Sequence, residues 1–247
     1  MTAAQSSIAL RGIGKSFAGQ QVLADISLEI RRGEIVALLG ASGGGKSTLL
    51  NIISGLLRAD AGELTLQGTP AGEFRHWQRI GYLFQEDRLL PWRTVEQNVH
   101  FGLENSGLPA ADRRERVASA LALVGLANAA RRWPHELSGG MRSRVALARS
   151  LVAQPEILLM DEPFSRLDPQ TRSAMHEELL RIQRLYGMTV VLVTHDVEEA
   201  VVLADRVAIL KPHPGRIHSV TPLDLPRPRI ATHPGVNEQI RLLRLEV

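Results

Sequence analysis

The sequence contains no cysteine, and this absence excludes disulfide bonds and thiolate metal sites. It also has no stretch of roughly 18 uncharged apolar residues, the length that a membrane-spanning helix needs. Residues 1–7 carry neither the basic segment nor the long apolar core of a signal peptide. We therefore expect a cytoplasmic protein, for which any role at a membrane depends on a separate partner.

Lysine and aromatic residues are scarce as well. Lysine occurs only at Lys15, Lys46 and Lys211, and aromatic residues make up 4% of the chain. The net charge is only +3 and basic residues are scattered among acidic ones, so the pI of about 9.8 does not indicate a nucleic-acid-binding surface. With 44% hydrophobic and 22% charged residues over 247 positions, the composition is typical of a globular protein long enough to be an enzyme.

Residues 40–47 read Gly-Ala-Ser-Gly-Gly-Gly-Lys-Ser and fit the pattern G-x-x-x-x-G-K-[ST] of a phosphate-binding loop. An apolar segment suited to a buried strand precedes them at 34–39, and a helical pattern follows at 48–53. The glycines leave room for backbone N–H groups to point at phosphate oxygens, and the helix N-terminus adds partial positive charge. Lys46 is then expected to reach the β- and γ-phosphates, and Ser47 to bind Mg²⁺. The alternative, a glycine-rich turn that precedes a lysine by chance, is disfavoured by this strand–loop–helix context.

Strand patterns alternate with helical patterns over most of the chain. Residues 8–30 favour short strands joined by a turn, because Ile26, Leu28 and Ile30 alternate with polar residues. After residue 210 the sequence is a Pro-rich, basic tail. Such alternation indicates an α/β fold with a mostly parallel sheet covered on both faces. Further strands are predicted at 61–68, 80–84, 157–162, 189–194 and 207–210.

Residues 90–155 are rich in Ala and Arg and lose the β-branched alternation, so we interpret them as a helical subdomain inserted into the α/β core. The core is then formed by 1–89 and 156–247, within a single domain of residues 1–247. A further helix is expected to begin at Asp168 and Pro169, which form a good N-cap and N1 pair. Its core-facing residues are predicted to be Met175, Leu179, Ile182 and Tyr186.

Two acidic residues, Asp161 and Glu162, end the predicted strand at 157–162. Downstream of a phosphate loop, Asp161 can hold Mg²⁺ directly or through water. Glu162 points elsewhere and can polarise an attacking water as a general base. The alternative is that both residues only solvate the end of a strand, and the presence of the phosphate loop favours the catalytic interpretation.

A second glycine turn, Ser138-Gly139-Gly140, precedes a helical pattern with apolar residues at 141, 145, 148 and 152. Ser138 is a natural N-cap, and a helix that starts in this way can bind an anion. A plain capped helix is the commoner interpretation of an isolated Ser-Gly-Gly. A second phosphate site in this chain would need either a second nucleotide or a shared one.

In their order and spacing, these motifs resemble those of an ATP-binding cassette (ABC) ATPase, over nearly the whole chain. In that family the signature loop, here residues 137–141, closes on the γ-phosphate held by the phosphate loop of the other subunit, which explains the second anion site. The resemblance implies a phosphate-loop NTPase core with an N-terminal antiparallel β part, and a homodimer around ATP and Mg²⁺. The motifs are the phosphate loop, Gln85 at a strand end, Leu137–Met141, Ile157–Pro163, Ser165–Asp168 and Thr194–Asp196.

The resemblance also implies roles for matching residues. Phe17 is expected to stack on adenine, Gln85 to sense Mg²⁺, the γ-phosphate and the membrane partner, and His195 to contact the γ-phosphate. The implied catalytic residues are Glu162, His195 and Gln85, and the implied metal ligands are Ser47, Gln85 and Asp161. The implied nucleotide-binding residues are Phe17, Gly40, Ala41, Ser42, Gly43, Gly44, Gly45, Lys46, Ser47, Thr48, Ser138, Gly139 and Gly140.

Two positions depart from the family's pattern. Met141 stands where the signature loop usually ends in Gln, which removes any polar contact from that side chain but leaves those of Ser138 and the glycine backbone. Arg166 stands where the family usually has Ala, in a loop of the dimer interface. Neither departure changes the resemblance.

Several segments narrow the resemblance to the ATPases of nitrate, taurine and aliphatic-sulfonate importers. Leu89, Pro91 and Trp92 would offer an apolar surface to a helix of a membrane subunit, as the family implies; the alternative is that Trp92 is a core residue. Within this group of importers, the segment Ser42–Gly45 favours the ATPases of aliphatic-sulfonate importers. The matching segments are Phe84–Trp92, Asn98-Val99, Phe101–Leu103, Pro214–Ile217 and Leu225–Arg229.

The resemblance thus implies an ATPase that energises import of a small oxyanion, with an aliphatic sulfonate first and nitrate or taurine as alternatives. The implied partners are a second copy of the chain, two transmembrane permease subunits and a periplasmic or extracellular solute-binding protein, with no nucleic acid. The implied location is peripheral, on the cytoplasmic face of the bacterial inner membrane.

Three other functions are weighed against this one. A soluble ABC ATPase acting on nucleic acid or ribosomes generally has two cassettes or long coiled-coil insertions, and this chain shows neither. A phosphate-loop kinase has no use for the Ser-Gly-Gly signature. An exporter is harder to exclude, because only the Leu89–Trp92 neighbourhood argues against it.

Overall fold

The structure, a computed structural model, describes residues 6–247. The chain divides into two compact units: the first runs to Trp77 and resumes over Gly187–Val247, and the second is Gln78–Tyr186. The predicted division of the chain, with a helical subdomain at 90–155, stays a prediction. Over the described residues 6–247, every helix is too short or too polar to cross a membrane.

Strands and helices alternate as expected. Up to Trp77 the elements are β1 (Ser6–Phe17), β2 (Gln20–Arg31), β3 (Ile35–Leu39), α1 (Lys46–Ile53), β4 (Ala61–Leu66) and β5 (Thr69–Pro70). The second unit contains β6 (Ile80–Leu83), α2 (Val95–Phe101), α3 (Ala110–Leu123), α4 (Gly139–Leu151), β7 (Ile157–Asp161) and α5 (Pro169–Tyr186). The first unit then continues with β8 (Thr189–Thr194), α6 (Val197–Leu203), β9 (Arg206–Lys211), β10 (Arg216–Pro222) and α7 (Pro234–Glu246).

An antiparallel sheet with the strand order β2-β1-β4-β5 lies in the first unit, so the predicted N-terminal antiparallel part is confirmed. In β2, Ile26, Leu28 and Ile30 are buried while Ser27 and Glu29 are exposed, as their alternation predicts. β1 and β2 are each 12 residues long, longer than the short strands expected. Register shifts along the pair let the two strands bend and remain hydrogen-bonded over this length.

The parallel strands of the first unit position the phosphate loop. β3 lies between β8 and β9 and runs parallel to both, and β10 pairs antiparallel with β9. Every residue of β3 and of β8 is buried, as continuous apolar strands covered on both faces should be. Leu39 at the end of β3 is opposite Thr194 at the end of β8. The phosphate loop and His195 therefore leave the sheet at the same edge.

In the second unit, β6 and β7 are parallel neighbours, with Leu83 opposite Met160. The chain leaves both strands at their carboxyl ends, where Gln85 follows β6 and Asp161 closes β7. The helices α2, α3 and α4 pack against one another, and α4 also packs on β6. The polar residues Gln85 and Asp161 therefore lie at the same edge of this strand pair.

Two details differ from the sequence-based expectation. In α5, Met175, Leu179 and Ile182 are buried as predicted, but Tyr186 is 46% exposed. Tyr186 is the last residue of the helix, so the periodicity extends one turn beyond the part that packs on the core. The tail beyond β9 is also more ordered than its proline content suggests, because it forms β10 and α7.

Candidate functional site

The phosphate loop has the strand–loop–helix setting that its motif predicts. β3 ends at Leu39, the glycine-rich turn follows, and α1 begins at Lys46. The backbone enters the helix through Gly45, whose φ of 83° lies in the left-handed region. The first turn of α1 therefore presents its backbone N–H groups, which have no partner inside the helix, towards the loop.

A side chain on either of two glycines of this loop would collide with a neighbouring atom. A Cβ atom on Gly40 would lie 2.3 Å from the backbone oxygen of Leu210 in β9, and one on Gly45 would lie 2.5 Å from the Cδ2 atom of Leu23 in β2. The first contact is with backbone and the second with a flexible side chain, so the constraint on Gly40 is the harder one. The backbone contact therefore explains the glycine where the loop leaves β3, and the left-handed φ of Gly45 together with the Leu23 contact explains the glycine where it enters α1.

Lys46 is buried, with an exposed fraction of 4%, and its ammonium group lies across the loop. Its Nζ atom donates to the carbonyl oxygens of Gly40 at 2.8 Å and Ala41 at 2.7 Å. A buried cation needs such partners because its desolvation is costly. Beside it, Ser47 is exposed and Thr48 is half-buried.

His195 lies at the same edge of the sheet as the phosphate loop. It is exposed and comes directly after Thr194, the residue opposite Leu39. The next residue, Asp196, is the N-cap of α6, and its carboxylate accepts from the backbone N–H groups of Glu198 at 2.9 Å and Glu199 at 3.3 Å. The side chain of His195 is thus presented from a short connection that is fixed at both ends.

Phe17 ends β1 and is 46% exposed, so it is not a core residue. Lys15 pairs with Leu23, the residue whose side chain packs against Gly45, which places this end of the hairpin beside the phosphate loop. The Lys15 Nζ atom lies 5.4 Å from the centroid of the Phe17 ring and 2.6 Å from Oδ1 of Asp60. An exposed ring beside the loop can stack on a planar base.

In the second unit, the structure brings Gln85 and Glu162 together. Nε2 of Gln85 donates to Oε2 of Glu162 at 3.3 Å. Glu162 follows β7 with a φ of 44°, which is unusual for a residue with a side chain and costs about 1 to 3 kcal/mol. Ser165 holds this turn, since its hydroxyl donates to the carbonyl oxygen of Glu162 at 2.9 Å.

Tyr82 on β6 belongs to this group, although no motif in the sequence points to it. Its hydroxyl is hydrogen-bonded to Asp161, and burial first, then the negative charge and hydrogen bond of Asp161, raise the pKa of Tyr82. Tyr82 therefore stays protonated and donates to the carboxylate. Its ring is stacked on that of Phe84 at a centroid distance of 4.2 Å, which fixes its orientation.

Arginines of α4 hold the segment that follows Gln85. Arg149 donates from its two terminal nitrogens to the carbonyl oxygens of Asp87 at 2.6 Å and Arg88 at 2.8 Å, and burial lowers its pKa. Nε of Arg142 donates to the Asp87 carboxylate at 3.1 Å. Because α4 starts at the signature loop, this loop and the segment after Gln85 share one rigid support.

Arg166, the departure from the family's usual Ala, pairs with Glu86 at 3.2 Å. Both side chains are more than 60% exposed, so the pair is screened by water and is worth at most about 1 kcal/mol.

The signature loop starts α4 as predicted. Ser138 is the N-cap, and its hydroxyl accepts from the backbone N–H of Met141 at 3.3 Å. Ser138 and Gly139 are exposed and Met141 is half-buried. Trp92, in the segment between β6 and α2, is 69% exposed, so the alternative that it is a core residue is wrong.

Comparisons with known proteins agree with this architecture. The family model described as "ABC transporter" matches residues 23–165. The aliphatic sulfonates import ATP-binding protein SsuB of Mycobacterium avium (strain 104) is 48% identical over 230 residues, which cover 93% of this chain and 86% of that protein. The protein named aliphatic sulfonates import ATP-binding protein SsuB 1 in Xanthomonas axonopodis pv. citri (strain 306) is 50% identical over 225 residues, which cover 91% of this chain and 88% of that protein.

Among solved structures, CbiO1 from Clostridium perfringens, part of the ABC transporter complex CbiONQ, has a TM-score of 0.81 at 31% identity and covers 88% of this chain and 89% of its own. The dimeric, post-hydrolysis ATP-binding cassette MJ0796 bound to ADP and Pi has a TM-score of 0.77 at 30% identity, with coverage of 88% and 99%. The nucleotide-binding fold predicted from the motifs is confirmed. This chain therefore belongs to the ABC transporter family, as a cassette that binds nucleotide and hydrolyses ATP to drive transport.

Proposed function

We propose that this chain is the ATP-hydrolysing subunit of an importer for aliphatic sulfonates. The observation that carries this proposal is the high identity to proteins named for aliphatic sulfonates import, at 48% and 50% over more than nine-tenths of the chain. The segment Phe84–Trp92, which resembles that of such importers, supports the same assignment. Its Trp92 is exposed and free to face another subunit.

Nucleotide binding is proposed to rest on the phosphate loop. Lys46 and the backbone N–H groups of residues 40–47 would bind the β- and γ-phosphates, in a cradle that a Cβ at Gly40 would disrupt. Phe17 would stack on adenine. The hydroxyl of Ser47, the carboxylate of Asp161 and the amide oxygen of Gln85 are the hard oxygen donors that suit Mg²⁺. When bound, Mg²⁺ neutralises charge that develops on the phosphate oxygens.

For hydrolysis, Glu162 is proposed to accept the proton of the attacking water while the bond between the γ-phosphorus and the bridging oxygen breaks, giving ADP and phosphate. The hydrogen bond from Gln85 orients the Glu162 carboxylate. His195, presented next to the phosphate loop, would donate to the γ-phosphate. Tyr82 would orient Asp161 in the same way as Gln85 orients Glu162.

The complete transporter is proposed to contain two copies of this chain, two permease subunits and a periplasmic or extracellular solute-binding protein. The dimeric MJ0796 cassette supports the pairing of two ATPase subunits. In such a dimer, Ser138, Gly139 and Gly140 of one copy would contact the nucleotide held by the phosphate loop of the other. The chain would then act as a peripheral subunit on the cytoplasmic face of the inner membrane.

The catalytic assignment is tested by Glu162→Gln, with Glu177→Gln on the exposed side of α5 as a matched control. Loss of the general base should reduce kcat by about 100-fold or more, since general-base catalysis contributes that much. ATP binding should persist, and an ATP-bound dimer should accumulate in size-exclusion chromatography. Turnover by Glu162→Gln at the rate of Glu177→Gln would contradict the assignment.

The solute is tested by growth of a deletion strain with single sulfur or nitrogen sources. Loss of growth on alkanesulfonates, with normal growth on sulfate, is the expected result, and the wild-type gene should restore growth while the Glu162→Gln gene should not. A defect limited to nitrate as nitrogen source, or to taurine as sulfur source, would contradict the assignment to aliphatic sulfonates but not to the importer class.

A further inference from the structure

Arg229, at the end of the Leu225–Arg229 segment, is buried with an exposed fraction of 6%, which is rare for arginine. Its guanidinium group is surrounded by backbone carbonyl oxygens. Nη1 donates to Val201 at 2.7 Å and to Ala204 at 2.5 Å, while Nε donates to Leu225 and Nη2 to Leu223 at 3.0 and 2.8 Å. Burial, and next the charge of Arg227, lower the pKa of Arg229, because both disfavour the charged form of its guanidinium group.

Two of the four carbonyl groups that Arg229 binds, those of Val201 and Ala204, lie at the C-terminus of α6. In any α-helix the last four carbonyl groups have no partner inside the helix, and here these are residues 201–204. Arg229 supplies donors to Val201 and Ala204, and Arg227 donates to Leu203. The two guanidinium groups thus satisfy three of the four carbonyls and place positive charge at the negative end of the helix dipole.

This support matters because α6 is only seven residues long. Helices of about this length are not stable by themselves in water, so their position depends on caps and packing. Arg227 also pairs with Asp205 at 2.9 Å, and the Asp205 carboxylate accepts from the backbone N–H of Ile35 in β3 at 2.8 Å. The C-terminal cap of α6 is therefore linked to the strand that leads into the phosphate loop.

The other end of α6 is attached to His195. The N-cap Asp196 binds the first turn of the helix through its carboxylate, and its backbone N–H donates to the Thr194 hydroxyl at 3.0 Å. His195 is the single residue between β8 and this cap. A shift or tilt of α6 must therefore move the backbone that carries the His195 side chain.

We propose that Arg229, assisted by Arg227, is a positioning residue that fixes α6 and through it the orientation of His195 towards the γ-phosphate. The inference rests on the proposed function, in which His195 contacts that phosphate. It gives a role to the Leu225–Arg229 segment, which the nucleotide site itself does not use.

The test compares steady-state ATPase kinetics of the full chain with those of Arg229→Met, His195→Ala and the double variant. We expect Arg229→Met to lower kcat about tenfold, as displacement of a reacting group does, while KM changes little because the phosphate loop is intact. Arg229→Lys should recover part of kcat, because its ammonium group can still donate to the carbonyls of α6. Arg241→Met is the matched control, since Arg241 is an exposed arginine of α7 paired with Glu238.

The double variant separates positioning from general destabilisation. If Arg229 acts through His195, adding Arg229→Met to His195→Ala should change kcat by less than about twofold, because coupled residues are not additive. Hydrogen exchange should also quicken in residues 195–204 of Arg229→Met and stay unchanged in β1 and β2. If Arg229→Met does not fold, Arg227→Met, which removes fewer contacts, undergoes the same comparison.

Each outcome has a distinct meaning. The inference would be overturned if Arg229→Met lowered kcat by the same factor in the presence and in the absence of His195, or if kcat of Arg229→Met were normal. Either result would leave the proposed function intact. A normal rate in His195→Ala would refute the role of His195 and the inference together. A chain without ATPase activity would refute the proposed function itself.

Discussion

Gly40→Ala is the most direct test of how the fold holds the phosphate loop. The added methyl group would lie 2.3 Å from the carbonyl oxygen of Leu210, a backbone atom of β9 that cannot rotate away because β9 is paired with β10. The loop and β9 must separate by about 1 Å before this contact becomes ordinary. The Gly40 carbonyl, which accepts from Lys46 at 2.8 Å, moves with the loop.

Gly43→Ala provides the reference, because it tests the same loop without a clash. Gly43 has a φ of 81°, and a Cβ there meets no atom within 4 Å. Alanine at such a φ costs about 1 to 2 kcal/mol. Gly40→Ala adds an overpacking cost of about 1 to 3 kcal/mol. At about 2 to 4 °C per kcal/mol for a chain of this size, Gly40→Ala should have a Tm about 2 to 12 °C below that of Gly43→Ala.

The assays are thermal unfolding by circular dichroism and ATP binding by titration calorimetry. ATP affinity of Gly40→Ala should fall about tenfold or more, since a displaced Lys46 loses a charge-assisted hydrogen bond worth about 1.5 to 3 kcal/mol. Equal Tm values for the two variants would refute the argument from the Leu210 contact. Wild-type ATP affinity in Gly40→Ala would refute the link between this contact and Lys46.

Two further predictions concern single polar contacts. Tyr82→Phe removes the hydrogen bond to Asp161. The Mg²⁺ concentration for half-maximal ATPase activity should then rise about tenfold, as is typical when a metal ligand loses its supporting hydrogen bond. An unchanged Mg²⁺ concentration would contradict the role of Tyr82 in orienting Asp161. The hydrogen bonds from Lys15, and next from the backbone of Ser16, hold the pKa of Asp60 below its usual value of 3.8. The ionised carboxylate therefore stabilises the folded state above pH 3.8. This stabilisation is lost as the pH falls through the pKa of Asp60 in the folded state. The Tm difference between the wild type and Asp60→Asn should therefore shrink as the pH is lowered from neutrality to below 3.8, and a constant difference would show that the ion pair is not its cause.

Local sequence patterns were sufficient for the elements that carry the site. The unbroken apolar runs of β3 and β8, and the alternation in β2, correspond directly to their burial. The helix α7 was not predicted, although Val236, Ile240 and Leu243 recur at helical spacing. Prolines before it favour an extended tail, and the helix packs against α6, a contact that no local pattern shows.

The candidate site divides in the same way. The glycine loop, the acids after β7 and the Ser138 cap were predictable because spacing along the chain alone defines them. Tyr82 and Arg229 were not, because their partners lie far away in sequence: Asp161 for Tyr82, and the carbonyls of α6 for Arg229. The catalytic and binding roles of the predicted residues stay predictions until the variants are measured.

The left-handed backbone at Glu162 has a consequence for anyone who evolves or engineers this protein. Glycine or asparagine would fit the turn after β7 with less strain, so a library selected for heat resistance alone should accumulate them at position 162. Variants selected in this way would be more heat-stable but would lack ATPase activity. Any stabilisation campaign on this chain should therefore hold position 162 constant, or include turnover in the selection.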